Sequence, residues 1–99
     1  MTNSRLLPSG VVPKFPLGYL STTASVVRKL SFEAILAGIA RHSQGDWGEV
    51  CDNDRRENEW ALAHGERLFS VYHDQKGVKF WIITERDRSA TTVLLPADY

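Results

Sequence analysis

From Leu68 onward the apolar residues stop recurring every three to four positions and begin to alternate, and this change of period limits the folds open to the chain. Segments 68–73, 78–85 and 91–95 are rich in β-branched and aromatic side chains, as strands are. Asp74-Gln75-Lys76-Gly77 has turn chemistry with glycine last, so the first two segments are predicted to form a hairpin. Residues 85–90 make a longer loop to the third. Phe80 and Ile82 would share one face of the middle strand, with Trp81 and Ile83 on the other. Two apolar faces predict a central strand, covered by helices on one side and partly by the N-terminal arm on the other.

Ahead of Leu68 the period is helical. Thr22 or Thr23 can cap a short helix running to Leu30, and Leu17-Gly18-Tyr19-Leu20-Ser21 can form a short edge strand. Ser31 can cap a second helix, in which Phe32, Ile35, Leu36 and Ile39 form one stripe, with a stop at Ser43-Gln44-Gly45. Asp46…Glu49 and Asp54…Glu57 each read as a capping box. The second would open a helix over residues 55–64, with Trp60 and Ala63 inward and Gly65 at its left-handed end. The fold class is therefore α+β: N-terminal helices followed by a three-stranded antiparallel β-meander. Three prolines (Pro8, Pro13, Pro16) mark residues 1–16 as an extended arm before one compact domain over 17–99.

Several classes of function are disfavoured by composition. The chain has 99 residues, enough for one core and too few for two. Twelve basic and twelve acidic residues cancel, so no global field draws it to nucleic acid or membrane. The charge is unevenly placed: residues 45–66 hold seven acidic and two basic side chains, either a solvated face or a docking surface for a basic partner. The lone Cys51 fits a reducing compartment, and beside Asp52 it reads as a buried structural thiol. With no membrane-length apolar run and no signal-like N-terminus, the expected setting is the cytoplasm. His42, His64 and His73 lack metal-ligand spacing, and no phosphate-cradling glycine loop or nucleophile elbow is present, so neither metal nor cofactor is expected.

Two segments concentrate chemically active residues. Residues 41–48 hold His42, Asp46 and Trp47; the plain reading is a helix stop and an anchoring tryptophan, the active one an acid–base pair of His42 and Asp46. Residues 84–92 hold Arg86, Asp87, Arg88, Ser89, Thr91 and Thr92. They form either an internal arginine–aspartate brace or a binding site built from Arg86, Asp87, Arg88, Ser89 and Thr91, with Thr92 structural.

The run Arg41-His-Ser-Gln-Gly-Asp-Trp-Gly-Glu-Val50, Asp54…Asn58, Gly65–Tyr72, Phe80–Glu85, Asp87-Arg-Ser89, Thr91–Pro96 and Tyr99 resembles a family of small bacterial proteins found on plasmids and integrative elements. Its members are called plasmid-related, and sometimes type I restriction endonuclease subunit M. The similarity covers about residues 17–99. A DNA methyltransferase needs a nucleotide-binding sheet and an N/D-P-P-Y/F motif, and this sequence has neither. The resemblance implies an accessory protein of a mobile element. The expected function is non-enzymatic binding of a host protein or nucleoprotein complex, as an inhibitor of CRISPR interference or restriction, through Arg86–Thr91 and Trp47. The alternative is a small ribonuclease-type toxin using His42, Arg86, Arg88 and Thr91.

Overall fold

A computed structural model describes residues 12–99 of the chain. Strand β1 (Tyr19–Thr22) leads into helices α1 (Ala24–Lys29), α2 (Phe32–Ser43) and α3 (Asp52–His64). Strands β2 (Leu68–His73), β3 (Lys79–Thr84) and β4 (Ala90–Leu94) follow, with a 3₁₀ turn at Pro96–Asp98. The architecture is α+β as expected, but the sheet has four strands in the order β1-β4-β3-β2 and is mixed. Strands β2, β3 and β4 form the expected antiparallel run, and β1 joins β4 in parallel, Ser21 facing Thr92. The three-stranded meander is therefore incomplete. A parallel partner that lies beyond three helices and two strands leaves no local turn signal in the sequence.

Local chemistry explains the helix boundaries. The Thr23 and Ser31 hydroxyls accept from the amides of Val26 and Ala34, capping α1 and α2. In α2 the buried side is Ile35, Gly38, Ile39 and His42, whereas Phe32 is 64% exposed and drops out of the expected stripe. Gly38 is needed there, because a Cβ would stand 2.8 Å from the Phe80 ring. Helix α3 begins at Asp52 with Cys51 as its N-cap, so Asp54 lies within the first turn and is not the cap. Its inward residues are Asn58 and Ala61; Trp60 and Ala63 point outward. The apolar phase misled because the inward contact is polar: the Asn58 amide donates to the Phe69 carbonyl at 2.7 Å and accepts from its amide at 3.1 Å. Gly65 ends the helix at φ 70, as its position predicted.

That Asn58 pairing closes part of the outer edge of β2. Gly48 closes more of it through an isolated parallel bridge to Val71. Val71 donates to the Trp47 carbonyl at 3.1 Å, and Glu49 donates to the Val71 carbonyl at 2.8 Å. Gly48 has φ 74, and any Cβ would collide with that carbonyl. Residues 46–49 thus make a strand-like contact; Asp46 accepts from the Gly48 amide as an expected cap would, but Glu49 pairs with His73 instead of completing the capping box. The core lies between the sheet and the helices, with Phe80 and Ile82 inward as expected. Trp81 and Ile83 occupy the opposite face by the alternation of the strand. The last arm residues pack on the helix side instead of crossing that opposite face: Phe15 is buried against His42 and Trp47, and Lys14 donates to the Ser43 carbonyl. The boundary expected at residue 17 therefore falls inside the packed chain; residues 1–11 lie outside the described part.

Candidate functional site

The Arg86–Thr92 loop divides its side chains between interior and surface. Arg88 has φ 61 and turns its guanidinium inward, donating to the carbonyls of Glu66 at 2.6 Å, Ala61 at 3.0 Å and Glu85 at 3.1 Å. It thereby ties the end of α3 to the loop and lies over the Phe15 ring. Arg86 faces outward and pairs with Glu66 at 3.7 Å. The Asp87 carboxylate accepts from the Ser89 amide, and bonds from the Ser89 hydroxyl and amide hold its pKa below the usual carboxylate value. Thr91 is fully buried, and Thr92 lies on the opposite face beside Ser21. An anion site using Arg86, Arg88, Ser89 and Thr91 together is not what the loop presents: Arg88 and Thr91 spend their donors inside the protein.

Thr91 belongs to a buried polar chain that sequence reading divided between two segments. Its hydroxyl donates to the Leu17 carbonyl at 2.7 Å, so its oxygen must accept from Thr84 at 2.8 Å. Thr84 in turn accepts from His42 Nε2 at 2.8 Å, which leaves His42 Nδ1 to accept from the Ser70 hydroxyl at 2.6 Å. A carbonyl that can only accept fixes every proton along the chain, including the His42 tautomer. Burial pushes the His42 pKa down to about 3, with the Arg88 charge adding to the effect, and the ring stays neutral. His42 and Thr91 thus do lie near one another, sealed within the core, with the partly exposed Arg88 close by, while Arg86 stands outside. Ser70 and Thr84 were missed; their signal is two hydroxyl residues at inward positions of otherwise apolar strand faces.

The remaining candidates also separate. Asp46 pairs with Arg41 at 2.7 Å, and the guanidinium holds its carboxyl below the usual range; no bond joins it to His42. Trp47 is buried and donates to Glu59 at 2.8 Å, so it anchors α3 instead of offering a contact surface. Cys51 is exposed, contrary to the buried thiol expected from its neighbours. Among the described residues, no group of three His, Cys, Asp or Glu side chains is placed to hold a metal ion, and no helix is long and apolar enough to cross a membrane.

The surface offers three features. A groove of about 610 Å³ runs between α2 and the β2–β3 turn, with Lys29, Arg41 and Lys76 around Ala37 and Phe80. A smaller recess of about 270 Å³ lies on the sheet face away from the helices, lined by Arg67, Phe69, Trp81, Ile83 and Tyr99. On α3, Trp60 is 54% exposed and stacks on His64, ring centroids 4.2 Å apart. These features define an α+β domain in which His42 and Thr91 are engaged inside, while Trp60, Trp81 and Tyr99 are offered outside. Comparison with models of known protein families, with curated proteins and with solved structures found no match.

Proposed function

We propose that this protein is a non-enzymatic accessory protein of a mobile genetic element, and that it binds a host protein or nucleoprotein complex to inhibit CRISPR interference or restriction. The observation that carries the binding reading is the Trp60–His64 stack on the outer side of α3. A half-exposed tryptophan does nothing for the core, whereas tryptophan is enriched among the residues that dominate binding energy at interfaces. Asp52 and Glu57 are exposed on the same helix, which suits a partner with a basic surface. The link to mobile elements and host defence rests on the resemblance carried by residues 41–50, Asp54…Asn58, 65–72, 80–85, 87–89, 91–96 and Tyr99. The ribonuclease alternative loses support from His42, which is sealed in the core and stays neutral near pH 7, with both ring nitrogens already engaged by Ser70 and Thr84.

The test is phage plating on bacteria carrying an active type I restriction system or a CRISPR system, with and without the protein. Plating should rise with the wild type and return to baseline with Trp60→Ala, since loss of an interface hot spot weakens binding by roughly 30-fold or more. Unchanged plating against both systems would remove the anti-defence reading. Cleavage of RNA by the purified protein, abolished by His42→Gln, would restore the ribonuclease.

A further inference from the structure

We infer that the recess on the open sheet face is a peptide-binding site, selective for an aromatic side chain flanked by carboxylates. This rests on the protein-binding reading above and names what such a partner would present. The recess is built by strand alternation: Phe69, Trp81 and Ile83 point away from the helices, and Tyr99 arrives from beyond the 3₁₀ turn. Phe69 and Tyr99 flank Trp81 at steep angles, with centroids 5.1 Å and 5.7 Å away and planes inclined by 79° and 67°. Their rings and Ile83 give apolar walls around a volume that suits one planar side chain.

Arg67 supplies the charge. It donates one bond to the Tyr99 hydroxyl at 2.9 Å and lies 5.4 Å from that ring, so its position is set by contacts within the recess. Among the described residues it makes no ion pair, unlike Arg41, Arg55 and Arg86. A guanidinium has five N–H donors, and four of these remain available to an anion. The Trp81 indole N–H likewise has no acceptor among the described residues. Positioned cationic donors beside an aromatic recess match a ring and a carboxylate on one short segment.

A cationic guest is disfavoured, because Arg67 would repel it from what would otherwise be an aromatic cage. A nucleic-acid strand is a weaker fit than a peptide. Gripping a phosphate backbone takes several cations, and among the described residues Arg67 is the one cation lining the recess, in a chain of zero net charge.

The experiment is amide and indole NMR titration of the whole protein with the blocked peptide Gly-Asp-Phe-Asp-Gly. Two control peptides replace both Asp by Asn, or Phe by Leu, and octathymidylate serves as the single-stranded competitor. Saturable shifts confined to Arg67, Phe69, the Trp81 indole and Tyr99 are expected. Arg67→Gln and each control peptide should weaken binding by roughly 10-fold, the cost of a lost charge-assisted contact or ring. Shifts elsewhere, affinity indifferent to Arg67→Gln, or tighter binding of octathymidylate would each overturn the site. Arg67 is exposed, so its variant should keep the fold, which an unchanged spectrum outside the recess verifies. The two readings fail separately: loss of peptide binding with intact Trp60-dependent protection removes this site alone, and peptide binding without protection removes the anti-defence role alone.

Discussion

His42 shows how one residue can look catalytic in sequence and serve the fold instead. Both ring nitrogens are bonded, to Ser70 and Thr84, and the ring is fully buried. Its pKa in the folded protein is about 3 against an ordinary 6.5, so below pH 6.5 the unfolded chain takes up a proton that the folded chain refuses. This contribution to stability is fully present above pH 6.5 and is lost as pH falls from 6.5 towards 3, at about 1.4 kcal/mol per pH unit. Asp46 and Asp87, held below their usual value of 3.8, act only at lower pH. Urea unfolding should therefore show a loss of about 2 kcal/mol between pH 7 and about pH 5. A His42→Gln variant should be less stable at neutral pH and show a much flatter profile over that interval. Equal slopes in the two proteins would mean that His42 is not the group responsible.

Helix α3 depends on a loop distant in sequence. It buries little beyond Asn58 and Ala61, and Arg88 in the β3–β4 connection bonds the Ala61 carbonyl near its end and the Glu66 carbonyl just after it. Arg88→Ala should cost about 1.5–3 kcal/mol, the net worth of hydrogen bonds from a charged donor. It should speed amide exchange in the second half of α3 before it affects β3. Because residue 88 sits at φ 61, Arg88→Gly should lose the same bonds yet be about 0.5–1 kcal/mol less destabilised than the alanine variant. Identical exchange in α3 for all three proteins would refute the brace. Elements governed by local rules were legible in the sequence: the Ser31 cap, the Gly65 stop, the Asp74–Gly77 hairpin and the alternation of Phe80 to Ile83. Features governed by distant contacts were not. The inward amide of Asn58 mis-phased α3, and β1 carries no signal for a partner that arrives only at residue 90. The direction of the Arg88 side chain was equally hidden, since the carbonyls it serves come from α3 and the residues just after it. For the same reason, the loop's composition suggested an outward site, while the outward side chains of Trp81 and Ile83 read only as an apolar second face.

At the scale of the whole molecule, the two ends of the described chain are joined, and Phe15 lies where the helical layer and the β3–β4 loop meet. Its ring stands edge-on to His42 at 5.4 Å, lies near Trp47 at 6.4 Å, and carries the Arg88 guanidinium at 5.8 Å. Those three neighbours belong to the end of α2, the segment bridged to β2, and the β3–β4 loop. Removing the ring would open a cavity where these three elements meet. A buried Phe→Ala change typically costs about 3–5 kcal/mol, a large share of the roughly 5–15 kcal/mol that holds a domain together. Phe15→Ala should therefore lower the urea midpoint sharply. A chain beginning at residue 17 should do so at least as much, because it also loses the bond from the Lys14 amide to the Ser43 carbonyl. Phe15→Leu separates packing from mere volume: it keeps most of the apolar bulk and should recover part of the loss, but not the edge-on contact with His42. If the chain beginning at residue 17 unfolds at the same urea concentration as the full chain, Phe15 is an ornament on a domain complete without it. The boundary expected from the prolines then stands.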